Sequence, residues 1–398
     1  MKELLSYRDQ FDSVKHCKYL ISNSLGAAPN GLRDDALRYY EHWSTRGVRN
    51  WSENWWTLPR EVGDKIGALI GAQSDTISMH ANVTSASAVV QSCLTPTKER
   101  DKVVMVEMEF PSILYSYSRW LEGYEDRGAL QIVDCPDGIS VPLDLLLDAI
   151  DERTLVVPIS HVLFRSAYIV DVKRIIEKAH SVGAVVVLDV FQSIGVVPID
   201  LSELNVDFAV GGMLKWMCGG PGACFLYVRP DLQEKLEPRF TGWLAHENPF
   251  AFETGPMRYT SGSYRFQSGT PVIPALYTCQ AGLDIVSEIG VERIRERSIE
   301  MTERIITLAD ERGWPIMAER DSAKRAGTVA LNIPDGAALS VELNARDFLV
   351  DYRPQAGVRI APHFYNTDDE LSELFAEMDT IIADGSHKKR ANESRIVT

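Results

Sequence analysis

The sequence predicts an α/β protein: a mostly parallel β-sheet with helices on both faces, joined to a smaller α+β unit. Three observations carry this. The middle of the chain holds short, almost wholly apolar runs rich in β-branched residues, Lys102–Met108 (KVVMVEM), Thr154–Ile159 (TLVVPI) and Ala184–Leu188 (AVVVL). Runs apolar on both faces are those of strands covered on both sides, as in a parallel sheet. Helical periodicity separates them, as in Val172–His180 (VKRIIEKAH), with Gly183 as the stop. Phe208–Val210 and Cys224–Val228 are further strand candidates. From about Pro274 the character changes: Val291–Arg312 is a long, charge-rich amphipathic pattern closed by Gly313, and shorter segments follow. The expected organisation is a large domain over 30–272, a small domain from 1–29 and 273–385, and a polar, frayed tail over 386–398.

Composition narrows the function classes. A chain of 398 residues, 45% apolar and 24% charged, can bury a large core without disulfides. With 41 basic against 56 acidic residues the formal charge is −15, which argues against a nucleic-acid or anionic-membrane surface. A local basic pocket for a small anion is still allowed. The six cysteines are scattered with no CxxC pair, so neither a zinc site nor a disulfide framework is expected. The first dozen residues lack the apolar core of a secretory leader, and no run approaches the ~18 apolar residues of a membrane span. The expected compartment is the cytoplasm.

In sheets of this kind ligands bind beyond the carboxyl ends of the strands. Two residues stand out there. Asp189 ends the apolar run AVVVLD, where a carboxylate is costly unless a cation or hydrogen-bond donor meets it. Lys215, 26 residues later in GGMLKW, follows the strand candidate at Phe208–Val210. A lysine in an apolar pocket loses basicity and becomes an amine nucleophile toward an aldehyde. The two together suit a pyridine-type cofactor, the carboxylate keeping the ring nitrogen protonated and the lysine forming a Schiff base. The spacing alone suits a structural Asp189–Lys215 ion pair equally well. Gly219-Gly220-Pro221-Gly222 reads as a tight turn into the next strand, since it lacks the strand–loop–helix order of a phosphate-binding P-loop.

The wider pattern resembles the class V aminotransferase superfamily of pyridoxal-phosphate (PLP) enzymes, and within it the kynureninase-like branch. The segments that carry the resemblance occur in order: Leu188–Gly222, Tyr19–Gly26 (YLISNSLG), Trp51–Ala72, Glu109-Phe110-Pro111-Ser112, Gly242–His246 (GWLAH), Phe266–Pro271 (FQSGTP) and Val358–Asn366. They span about 19 to 375. The resemblance implies the type I PLP-transferase fold, with a large sheet of the seven-stranded type, and pyridoxal 5′-phosphate as cofactor. It also implies roles. Lys215 takes the Schiff-base position, Asp189 the pyridinium position, and Gln192 that of a glutamine bonded to the cofactor's phenolate oxygen. Phe110 takes the ring-stacking position and Asn82-Val83-Thr84 the phosphate loop. Trp243 and Thr270 take positions that reach the phosphate from a neighbouring subunit, so a homodimer with active sites at the interface is expected. Arg359 matches the arginine that grips a substrate carboxylate, and His161 a pocket position. Each also has a bland use: Phe110 and Trp243 in a core, Thr84 as a helix cap, Arg359 in an interface, His161 as a structural histidine.

The pattern also breaks. Kynureninases carry a tyrosine before the Schiff-base lysine, where this chain has Leu214, a histidine where it has Gln192, and an aspartate where it has Ile113. Leucine moves no proton, so hydrolysis of kynurenine itself is in doubt. A persulfide-forming desulfurase is disfavoured too, because no cysteine follows Cys279. The expected substrate is an α-amino acid whose α-proton Lys215 removes to give a quinonoid. Kynureninase-like cleavage of a carbon–carbon or carbon–heteroatom bond is the leading reading, and class V transamination the alternative. Retention of Lys215, Asp189, Gln192 and Arg359 together argues against a non-catalytic scaffold. Trp51, Trp55 and Trp56 hint at an aromatic pocket, or else at core or dimer contacts.

Overall fold

The computed structural model describes residues 4–124 and 128–390. Its strands, in chain order, are β1 (Lys18–Tyr19), β2 (Ile77–His80), β3 (Lys102–Val106), β4 (Ala129–Val133), β5 (Thr154–Ser160), β6 (Val185–Asp189), β7 (Phe208–Gly212), β8 (Cys224–Val228), β9 (Val329–Leu331), β10 (Phe348–Leu349), β11 (Asp351–Arg353) and β12 (Gly357–Ile360). Seven of these form one sheet in the order β2-β8-β7-β6-β5-β3-β4. The pairs from β7 to β4 are parallel; β8 runs antiparallel to both its neighbours. The turn at Gly219–Gly222, with positive φ at Gly220 and Gly222, is what reverses the chain into β8.

The apolar runs become strands because alternate side chains enter two different cores. Val104, Val106, Val157, Ile159, Val186, Leu188 and Ala209 join one cluster. Their neighbours Val103, Met105, Val156, Val187, Phe208 and Val210 join another, on the opposite face. Helices Leu58–Leu69 and Val172–Ser181 supply Val62, Ile66, Ile175 and Ile176 to the first. Helices Val83–Cys93 and Pro111–Glu122 supply Val89, Val90, Tyr117 and Leu121 to the second.

After the sheet the chain forms helix Val291–Asp310, close to the expected 291–312, and a small antiparallel sheet β11-β12-β9. A third core holds them together, with Met301, Ile305, Val329, Val358, Ile360, Leu371 and Phe375. Of the stretch expected to fray, Ser386–Arg390 make a 3₁₀ turn with His387 buried, and 391–398 lie outside the described residues. Among the described residues no helix is long and apolar enough to cross a membrane.

The tryptophans resolve in favour of packing. Trp51–Trp55 form a π-helical turn, Trp55 stacks on Tyr39 with ring centroids 5.9 Å apart, and Trp56 packs against Phe250 at 4.8 Å.

The N-terminal arm ties the two parts together. β1 pairs parallel with β10, Ala361 N–H donates to Leu20 O at 2.7 Å, and Gly26 N–H donates to Leu214 O at 3.0 Å. A Cβ on Gly26 would lie 2.1 Å from Lys215 O and 2.9 Å from Cys218 Cα, both backbone atoms that cannot swing away. Gly26→Ala is therefore expected to destabilise the protein by about 1–3 kcal/mol, measured as a lower urea midpoint at unchanged slope; a midpoint equal to wild type would show that the arm is not seated there.

Candidate active site

Beyond the carboxyl ends of β5, β6 and β7 lies a cavity of about 310 Å³. Its lining includes Asn82, Val83, Thr84, Phe110, Asp189, Gln192 and Lys215, seven of the residues singled out from the sequence. Segments more than a hundred residues apart meet here because β6 and β7 are neighbours and helix Val83–Cys93 starts beside them.

At one end is that helix's N-terminus. Asn82 is its cap: Oδ1 accepts from Ser85 N–H at 2.8 Å, while Asn82 N–H donates to Ser85 Oγ at 3.4 Å. This capping box fixes the first turn, and the turn's remaining N–H groups and dipole favour an anion at Val83 and Thr84.

Asp189 ends β6, with Oδ1 accepting from Phe191 N–H at 2.8 Å. Burial pushes its carboxyl above the usual range, while the Phe191 N–H and the charge of Lys215 pull it back. Among the described residues no cation lies within ion-pair distance of it. Lys215 likewise has no ion pair there. Its Nζ lies 4.7 Å from the centroid of the Phe191 ring and 6.0 Å from that of Phe110. Burial and then the positive charge of Arg359 hold its ammonium well below the usual lysine value, against the opposing pull of Asp189. Both groups thus lean toward neutrality, and the simple ion pair that the spacing allowed is not formed.

Gln192 is partly committed: Oε1 accepts from Trp216 Nε1 at 3.1 Å and Nε2 donates to Asn23 O at 2.9 Å, leaving one N–H. Phe110, 46% exposed, forms a wall with Phe164, whose ring meets it edge-on at 5.4 Å. Leu214, Ile113 and Val162 complete an apolar lining.

Four predicted residues are not brought into the cavity. The two-pronged edge of Arg359 is already spent: Nε donates to Asp351 Oδ1 at 2.7 Å, and Nη2 to Oδ2. Its Nη1 donates to Phe164 O. Arg359 and Asp351 are 2% and 0% exposed, and a buried Asp351 needs that counter-charge, which Arg353 shares at 3.2 Å. In this structure the bidentate edge expected to meet a substrate meets Asp351. His161 is buried with its ring outside the lining; burial pushes it down to about 4, so it is neutral. Trp243 packs between Trp56 and Phe250, and Thr270 lines a separate pocket of about 140 Å³ that adjoins the cavity at Ala81 and Gly222.

Sequence reasoning missed Ser160, Val162, Phe164 and Cys224 in the lining and Asp351 behind it. The strand-end rule that picked out Asp189 flags Ser160 to Phe164 as well, since β5 ends at Ser160. Nothing in the sequence flags Asp351.

Residues 18–347 match the family model for class-V aminotransferases, and the chain belongs to that family. It is 31% identical over 366 residues to a kynureninase of Pseudomonas fluorescens, covering 88% of this chain and 85% of that one. It is 28% identical to an uncharacterized aminotransferase, YcbU, of Bacillus subtilis, covering 96% and 98%. Among solved structures a cysteine desulfurase from Thermococcus onnurineus shares the fold with a TM-score of 0.84 at 22% identity, covering 95% and 98%. The cofactor is pyridoxal 5′-phosphate, and the donor set fits it: an N–H-rich helix start for a phosphate, a buried carboxylate without a counter-ion for a ring N–H, and an amine of lowered basicity for an aldehyde.

Asp351→Asn leaves the buried guanidinium of Arg359 without its carboxylate. The expected cost is about 3–5 kcal/mol of stability, read from chemical denaturation; a loss under about 1 kcal/mol would show that Arg359 finds another partner.

Proposed function

We propose that this chain acts on an α-amino acid and cleaves a carbon–carbon or carbon–heteroatom bond in its side chain, with Lys215 as the proton-transfer group. The observation that carries this is the cavity itself. Lys215 and Asp189 project from neighbouring strand ends into an apolar chamber that a helix N-terminus closes. When bound, the cofactor supplies an electrophilic carbonyl carbon and an electron-withdrawing ring. Asp189 holds the ring nitrogen's proton, Val83 and Thr84 take the phosphate, and Phe110 covers a ring face. Lys215, already inclined to be neutral, would hold the cofactor's carbonyl carbon through Nζ until the substrate's amine took its place, and the freed Nζ would then be the group to take the substrate's α-proton. The walls of Phe110, Phe164, Ile113, Val162 and Leu214 exclude water and suit an apolar or aromatic side chain. The charge of Arg359 reaches Lys215 across the cavity wall and would draw the α-carboxylate.

Similarity to kynureninases supports the cleavage reading, and Leu214 sets its limit, since the residue before Lys215 carries no hydroxyl to protonate a leaving fragment. Transamination is the second reading. Lys215 is the only basic side chain in the lining among the described residues, and a proton moved by one lysine is all that transamination asks. Sulfur relay through the cavity is disfavoured: Cys224 is there, but burial pushes its thiol up to about 12, so it stays protonated. The reading includes a homodimer in which Trp243 and Thr270 complete the partner's phosphate site, supported by the exposed aromatics Trp243, Phe250 and Phe252. A cytoplasmic location completes it.

The purified protein is expected to bind the cofactor and absorb visible light through its linkage to Lys215. Lys215→Ala removes that band and lowers turnover by about 10²–10⁴-fold. With a panel of amino acids, mass spectrometry separates the readings: a cleaved fragment with the cofactor restored supports cleavage, and a keto acid with aminated cofactor supports transamination. A protein that stays colourless with cofactor supplied refutes both.

A further inference from the structure

Directly behind the cavity wall sits a carboxyl group that the proposed chemistry does not use. Glu109 is 1% exposed. Its Oε1 accepts from Ser160 N–H at 2.9 Å, and its Oε2 lies 2.5 Å from Ser160 Oγ. Ser160 in turn lines the cavity, at the end of β5 and in register with Asp189 on β6. Among the described residues no cation lies within ion-pair distance of Glu109. The titratable groups acting on it are Asp189 and Cys135, and neither supplies positive charge.

A hydroxyl has one hydrogen. If Glu109 is a carboxylate, Ser160 spends that hydrogen on Oε2 and shows the cavity lone pairs only. If Glu109 is a carboxylic acid, it donates to Ser160 Oγ, and the serine hydrogen is free to turn inward. A buried carboxyl with no cation near it and Asp189 close by favours the second arrangement. Burial, and the charge of Asp189, push Glu109 up to about 8 against the pull of the two Ser160 bonds.

We propose that Glu109 is a positioning residue that acts as a carboxylic acid donating to Ser160 Oγ, so that Ser160 serves as a hydrogen-bond donor to an anionic oxygen of pyridoxal phosphate in the cavity. This rests on the cofactor assignment above and adds a switch to it: ionising Glu109 turns the Ser160 hydrogen away.

The test uses the full-length chain stripped of cofactor, in wild-type, Glu109→Gln and Ser160→Ala forms. The amide of the Glu109→Gln variant mimics the acid form at every pH, because its N–H donates to Ser160 Oγ and its oxygen accepts the Ser160 N–H. Wild-type affinity for pyridoxal phosphate is expected to fall about five- to tenfold as the pH rises through 8. Relative to wild type, Glu109→Gln lacks that fall and Ser160→Ala binds weakly on both sides of it. Repeating the titration with pyridoxal, which lacks the phosphate, assigns the oxygen: a fall that persists places it on the ring, and one that vanishes places it on the phosphate. Superimposable wild-type and Glu109→Gln profiles, or a Ser160→Ala protein that keeps the fall, overturn the proposal.

Melting without any ligand tests the protonation separately. A folded-state value raised from 4.5 to about 8 means that the folded chain holds a proton the unfolded chain has lost. Wild-type stability relative to Glu109→Gln therefore drops as the pH rises from 4.5 towards 8, then levels off. A flat difference means that Glu109 is ionised in the folded protein, and the donor role falls. If this drop is seen but no form binds either compound, it is the cofactor assignment that fails, and the serine's role with it.

Discussion

A carboxylate and an ammonium placed at the ends of adjacent parallel strands, in a chamber with mostly apolar walls, are each expensive to keep charged. Asp189 and Lys215 stand in this relation, and most of the neighbouring architecture answers to it. Asp189 receives one backbone N–H, and Lys215 faces two aromatic rings instead of an acid. With each held short of full charge, the pair stores an unsatisfied demand that a ring N–H and an aldehyde meet together. The same burial that lowers the basicity of Lys215 makes it a useful amine, so the cost in stability and the chemical competence have one cause.

Around this pair the electrostatics are arranged in layers. Arg359 depresses Lys215 from outside the cavity while being held by Asp351, so the cation that tunes the lysine is itself fixed. Glu109 lies behind Ser160, with which it makes its hydrogen bonds, and the charge acting on it is that of Asp189. The positive side of the site therefore belongs to the C-terminal sheet and the acidic side to the large one.

The large sheet was legible in the sequence because strands buried on both faces leave nearly continuous apolar runs that little else produces, and KVVMV, TLVVPI and AVVVL all became strands. The antiparallel direction of β8 was not, because CFLYV reads the same in either direction. Within the site, Asp189 and Lys215 were legible as charges at strand ends, and the remainder of the predicted lining rested on resemblance. What stayed hidden was of two kinds. Ser160, Phe164 and Cys224 are ordinary residues made special by where the sheet puts them. Arg359 was singled out from the sequence, but its partner Asp351 sits eight residues away on the adjacent strand, and pairing across a turn cannot be read from residue type.

The N-terminal arm has a consequence for how the molecule is made. Every strand of the large sheet lies before residue 229, so that sheet can assemble while the ribosome is still adding the rest of the chain. The arm is synthesised before any of it, yet its strand partner is Phe348–Leu349 and its next contact is Ala361. Its strand cannot pair until those later residues have been made, and pairing closes a loop of more than three hundred residues. Asn23, which holds Gln192 in place, and Gly26, which packs on the backbone of Lys215, travel with that arm. The sheet can thus form before the wall behind the lysine is finished, and pairing of the arm with Phe348–Leu349 is what completes that wall.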